Sequence, residues 1–185
     1  MVTWIVLGVI VILIFMLISI YNRLVGLRNR RENAFADIDV QLKQRHDLIP
    51  QLLGAVKGYM QHEAGVLTRV TEARSRAMNA SSIDGRIEAE TELGSALQGL
   101  RIQVEAYPDL KANTNFLHLQ SEISDIENKL AASRRFFNSA TREYNTTLQS
   151  FPANTVAGMF GFHQAKMFDV GPDRDSMEKA PEIKF

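Results

Sequence analysis

The sequence predicts an all-α protein: an N-terminal transmembrane helix that continues into an antiparallel up-down four-helix bundle, with a mostly irregular C-terminal tail. Three observations predict it. Residues 1–22 carry no charged side chain and are apolar almost throughout. Beyond them, apolar residues recur at steps of three and four, the mark of helices with one buried face. Five prolines and 8% aromatics in 185 residues, with that period nearly throughout, argue against a sheet. The divisions expected are an anchor at 1–22, a bundle at 23–152 and a tail or strap at 153–185.

The anchor comes first. Val2 to Ile20 is almost purely apolar, and twenty-odd helical residues span roughly 30 Å, the thickness of the hydrocarbon layer. A cleaved signal peptide needs a basic start and a small-residue cleavage site, and neither precedes Tyr21. Trp4 and Tyr21 mark the two ends, where amphipathic rings prefer the interface. Arg23, Arg28, Arg30 and Arg31 follow at once, which places the bundle in the cytoplasm and the short N-terminus outside. The same arginines are placed to meet anionic headgroups.

The first soluble helix is expected from Asn22 to about Arg45, with an apolar face of Leu24, Leu27, Ala34, Phe35, Ile38 and Leu42 and a wet-face pair of Asp39 and Lys43. A turn is expected at His46-Asp47, with Asp47 as N-cap and Pro50 in the first turn of the next helix. The rival is one long helix kinked at Pro50. The second helix is expected from about Leu48 to Ala77, with Glu63 in its apolar stripe and therefore needing a partner such as Arg31. A polar turn at 79–85 precedes a third helix, about Arg86 to Ala106, which buries Leu93, Leu97, Leu100 and Val104.

A second break follows at Tyr107-Pro108-Asp109. The fourth helix starts between Asp109 and Asn115 and stops before Pro152, roughly 55 to 60 Å. Phe116, Leu119, Ile123, Ile126, Leu130, Ser133, Phe137, Ala140, Tyr144, Leu148 and Phe151 form its heptad seam. Short connections imply antiparallel neighbours. One mismatch stands out: the second helix, roughly 45 Å, exceeds the roughly 36 Å of the first helix outside the membrane. In the tail, Phe160-Gly161-Phe162 and Met167-Phe168 are apolar clusters without helical spacing, and the end resembles loop. The aromatics are expected either to strap the bundle or to lie near headgroups or a neighbouring subunit, since Phe151 returns to the membrane end.

The strings YNRLVGLRNRRENAFADIDVQLK, from Tyr21, and YPDLKAN, from Tyr107, resemble the LemA family of bacterial membrane-anchored helical proteins. The resemblance spans Tyr21 to about Phe162 and implies a helical bundle. Some relatives are tied to magnetosome-membrane formation and membrane organisation. It supplies no reaction.

The residues supply none either. His62-Glu63 opens like a zinc-protease helix, but Val66 stands where the second histidine is needed. His46, His62, His118 and His163 show no ligand spacing, and Glu122 and Glu127 lack a Glu-x-x-His partner. There is no phosphate loop and no G-x-S-x-G string. There are no cysteines, so disulfides and thiolate chemistry are excluded. The 21 basic and 21 acidic residues cancel, which gives no case for nucleic acid. No enzyme activity, metal or cofactor is expected.

The up-down topology places Arg45, His46, Asp47 and Pro50 at the same membrane-distal end as Tyr107, Pro108, Asp109, Asn113 and Asn115. They form a docking surface or simply cap helix ends. Phe160 and Phe162 are the second interaction candidates. The function expected is a self-associating scaffold or assembly protein of the bacterial inner membrane, whose partners are the lipid bilayer, further copies of itself and other membrane proteins. The alternatives are a membrane-remodelling oligomer and an accessory subunit of another membrane enzyme such as a protease.

Overall fold

The computed structural model describes residues 1–60 and 62–168. Among them are six helices and no strand: α1 (Val2–Lys57), α2 (Ala64–Asn79), α3 (Ile83–Val104), α4 (Pro108–Lys111), α5 (Thr114–Gln149) and α6 (Ala153–Phe160). The chain rises along α1, descends α2, rises along α3 and descends α5. In this up-down bundle α1 packs along α5 and α2 along α3.

The first correction concerns the break at His46-Asp47 and Pro50. There is none: α1 is one helix of 56 residues with Pro50 inside it. A proline within a helix removes one N–H and leaves the carbonyl four residues earlier without its donor. That carbonyl belongs to His46, and the Arg74 guanidinium of α2 donates to it at 2.7 Å. The freed acceptor is therefore satisfied from the neighbouring helix. Ile49 and Leu52, fully and almost fully buried on either side, hold the segment in register. α1 ends instead at Lys57, and just past it Met60 plugs the bundle end with no exposure.

This shift removes the length mismatch. The second helix is α2, 16 residues or about 24 Å. Glu63 lies at its N-cap, half-buried, where the helix dipole favours a carboxylate, so it needs no buried partner. Asp39 turns to Arg86 of α3 rather than to Lys43. Ser82 caps α3 by accepting from the Gly85 N–H at 3.0 Å, and a Cβ at position 85 would meet that hydroxyl at 2.9 Å.

Three apolar clusters fill the interior. The distal one joins Ile49, Leu52 and Val56 of α1 to Val70, Leu93, Leu100 and Phe116 of the other helices. The middle one packs Phe35, Ile38 and Leu42 on Ile87, Ile126, Leu130 and Phe137. The one nearest the N-terminal apolar stretch joins Leu24, Leu27, Tyr144 and Leu148 to Val156, Ala157 and Phe162. The α5 seam is followed by this packing until Phe151, which lies past the helix end and is 85% exposed. Residues 1–16 are exposed, and the N-terminal part of α1 reaches a mean hydropathy of 2.9 over 18 residues. That stretch is long and apolar enough to cross a membrane.

The tail departs from expectation at α6. Ala153, Val156, Ala157 and Phe160 do have helical spacing, and the first three are buried. Gly161, at φ 70°, then ends the helix in the left-handed region and turns the chain back along α5. Residues 162–168 form an irregular strap, and the loop expected from Gly171 to the end falls outside the described residues.

Candidate functional site

Between Leu42 and Ile49 the apolar stripe of α1 is interrupted by Arg45, which is 1% exposed. Its guanidinium contacts the Glu90 carboxylate of α3, itself wholly buried, and reaches Glu127 of α5 at 2.7 Å. His46 Nε2 lies 2.7 Å from the other Glu90 oxygen. With Arg74 on the His46 carbonyl, all four long helices meet in this one polar layer. Burial alone would raise the Glu90 carboxyl. The hydrogen bond from His46 and the Arg45 charge outweigh it and hold the group below the usual carboxylate range. Glu90 is thus an anion that can only accept, so His46 Nε2 carries the proton it donates. Burial, and the like charge of Arg45, lower the Arg134 guanidinium nearby.

A second polar device lies nearer the N-terminal apolar stretch. The Asn138 amide of α5 donates to the Phe168 carbonyl at 3.0 Å and accepts from the Phe168 N–H at 2.9 Å. Asn145 does the same with both backbone groups of Ala165, each at 2.9 Å. The spacing is matched. Seven helical residues rise about 10.5 Å and three extended residues span about 10 Å. The strap therefore runs antiparallel to α5, over the groove that α2 and α3 are too short to cover. Phe168 fills the upper end of that groove, stacked on Phe35 at 6.3 Å and edge-on to Phe137 at 5.6 Å. Arg134 caps its ring at 5.0 Å.

An open cleft of about 530 Å³ separates α3 from α5, with Leu52, Leu100, Phe116 and Ile123 on its walls and Glu127 at one end. Among the described residues no cluster of three or more histidine, aspartate or glutamate side chains is arranged to hold a metal.

The model of the LemA family matches residues 34–185. The chain belongs to the LemA family. It is 28% identical to Protein LemA of Metamycoplasma hominis over 156 residues, covering 83% of this chain and 71% of that one. It is 22% identical to the magnetosome protein MamQ of Magnetospirillum gryphiswaldense over 189 residues, covering 88% and 70%. MamQ 2 of Paramagnetospirillum magneticum is similar at 21%, with the same coverage. The chain is thus a membrane-associated protein of the LemA family.

In this LemA-family chain the two expected interaction strings do not converge. Arg45 and His46 are buried in the bundle, about 16 to 18 Å of helix below the distal end at Lys57. They offer no docking surface, because α1 continues past them. Asp47 and Pro50 are exposed on its outer face. The distal end holds the other string, largely as caps. Pro108 opens α4 with Asp109 in its first turn, and Tyr107 packs half-buried on the core. Asn113 caps α5 by accepting from the Phe116 N–H at 3.1 Å and donates to the Tyr59 hydroxyl at 3.2 Å. Asn115 is exposed.

Near the apolar stretch, Trp4, Tyr21, Arg23, Arg28 and Arg30 are exposed. Arg28 sits 5.4 Å over the Phe162 ring and Arg30 pairs with Glu143 at 3.0 Å. Arg31 is the exception. It turns inward, 8% exposed, pairs with Asp84 at 2.6 Å and lies 5.0 Å over Phe137. Its place in the stripe between Leu27 and Ala34 commits it to the core. Phe162 is buried, and Phe160 is half-exposed with its ring 4.9 Å from that of Tyr21.

Glu90, Asn138 and Asn145 were not singled out by sequence. Glu90 lies between Ile87 and Leu93 on a buried face, and Asn138 and Asn145 each follow a seam residue. A polar residue on or beside a periodic apolar stripe is the signal that finds such groups.

Proposed function

We propose that this protein is a self-associating scaffold of the bacterial inner membrane, anchored by the first twenty residues of α1 with its bundle in the cytoplasm, and that it catalyses no reaction. The observation that carries the reading is the continuity of α1, whose 56 residues include both the apolar stretch and a full edge of the bundle core. A helix shared in this way transmits the orientation of the anchor to the bundle without a hinge. The polar interior supports the same reading. Arg45 and His46 both bond Glu90 and Arg45 also reaches Glu127, so these groups link α1 to α3 and α5, which is what a structural layer does.

The test is the mass of the full-length protein in native-lipid nanodiscs. A discrete homo-oligomer supports a scaffold. A monomer in native lipid overturns self-association, and a stoichiometric foreign membrane enzyme copurifying with that monomer replaces it with an accessory-subunit role. The similarity to MamQ, named a magnetosome protein, favours a second reading, an oligomer that shapes membrane. That reading requires the oligomer to deform liposomes.

A further inference from the structure

We infer that α6 and the turn before it form a second membrane contact, a foot that lies in the headgroup layer beside the anchor. The inference rests on the anchoring proposed above and adds the ligand of a surface that anchoring alone leaves without a role. Four observations carry it.

The first is depth. Val156 and Ala157 of α6 share an apolar cluster with Leu24 and Leu27, and Leu17 and Ile20 pack against it. Leu17 and Ile20 lie inside the uncharged N-terminal stretch. Whatever layer receives the end of that stretch also receives α6. The second is exposure. Phe151 is 85% exposed, Met159 67% and Phe160 49%, although Ala153, Val156 and Ala157 of α6 are buried against the bundle. Three large apolar side chains left outside the core at one end of a molecule mark an interaction surface.

The third is continuity. The Phe160 ring lies 4.9 Å from that of Tyr21, so the exposed aromatic of α6 packs against the end of the uncharged stretch of α1. The fourth is charge. Exposed Arg23 and Arg28 flank the same level, and Arg28 is fixed over Phe162. Apolar side chains beside fixed cations are what a helix lying in an anionic interface presents. A lipid surface fits all four observations. A second copy of the chain explains the exposure but not the depth.

The experiment uses full-length protein in phosphatidylglycerol–phosphatidylethanolamine nanodiscs. The one native tryptophan, Trp4, makes a clean background after Trp4→Phe. Phe160→Trp and, separately, Phe151→Trp each place a fluorophore on the foot, and Leu117→Trp places one on the exposed distal surface as reference. The expected result is a blue-shifted emission for both foot variants relative to L117W. Both also lose intensity with lipids brominated near the headgroup and resist acrylamide in the water. Tryptophans quenched by acrylamide and untouched by bromolipid overturn the foot. Tryptophans shielded from both quenchers also overturn it and assign the surface to protein. Native Trp4 separates the two proposals. If bromolipid quenches Trp4 but neither foot variant, the foot alone fails; if Trp4 escapes as well, the anchor fails and the foot with it.

Discussion

Glu90 is the residue whose substitution should cost most. Its carboxylate is wholly buried and is the shared acceptor of Arg45 and His46. Removing it leaves Arg45 buried with Glu127 alone, and breaking a buried pair from one side costs about 3–5 kcal/mol. Glu90→Ala should therefore lower unfolding free energy by about that amount in denaturant titration. Asp39→Ala, at a part-exposed pair with Arg86, should cost about 1 kcal/mol or less. The same carboxylate sets a pH dependence. Its folded pKa is depressed, so the unfolded chain binds the proton more readily. The stabilisation is complete above the unfolded carboxylate value, about 4.3, and is lost as pH falls through the lower folded value. Stability followed below pH 4.3 should fall less steeply with acid in Glu90→Gln than in the parent protein.

At the scale of the element, α1 decides the architecture, and Pro50 is where it was most exposed to failure. The Arg74 bond to the His46 carbonyl ties α2 to the very group the proline sets free. Two substitutions test this together. Pro50→Ala restores the intrahelical donor and should stabilise, by up to about 3 kcal/mol. Arg74→Met in the parent leaves a part-buried acceptor without its donor and should cost about 1 kcal/mol. In the Pro50→Ala background the Arg74→Met cost should shrink, because the helix then supplies its own donor. Strict additivity in that double-mutant cycle would separate the two residues.

α5 repeats the lesson in another form. Its seam was visible as a heptad, but Asn138 and Asn145 beside it hold a strap whose backbone carries no sequence signature. Only their separation of two helical turns, against three extended residues, makes the pair work. The short α6 was hidden because its stripe began at Ala153, upstream of the aromatics that drew attention.

The whole molecule is a rod with one apolar end. Orientation across the bilayer is open to a direct check, because the chain has no cysteine of its own. Ser81→Cys lies in the exposed α2–α3 turn and Thr3→Cys at the N-terminus. In intact cells a membrane-impermeant maleimide should label Thr3→Cys and spare Ser81→Cys until the cells are lysed. The opposite pattern would reverse the topology argued from Arg23, Arg28, Arg30 and Arg31.

The sequence by itself determined what depends on local pattern and composition. The uncharged N-terminal stretch, the helical class, the up-down order and the seam of α5 follow from period and hydropathy, which neighbouring residues carry along the chain. Tertiary structure decided what depends on a partner distant in sequence. Whether α1 breaks at Pro50 was settled by Arg74, 24 positions on, and the fate of Arg45 by Glu90, 45 positions on. A proline's freed carbonyl or a buried guanidinium is tolerable or ruinous according to what faces it, and no local window contains that facing group.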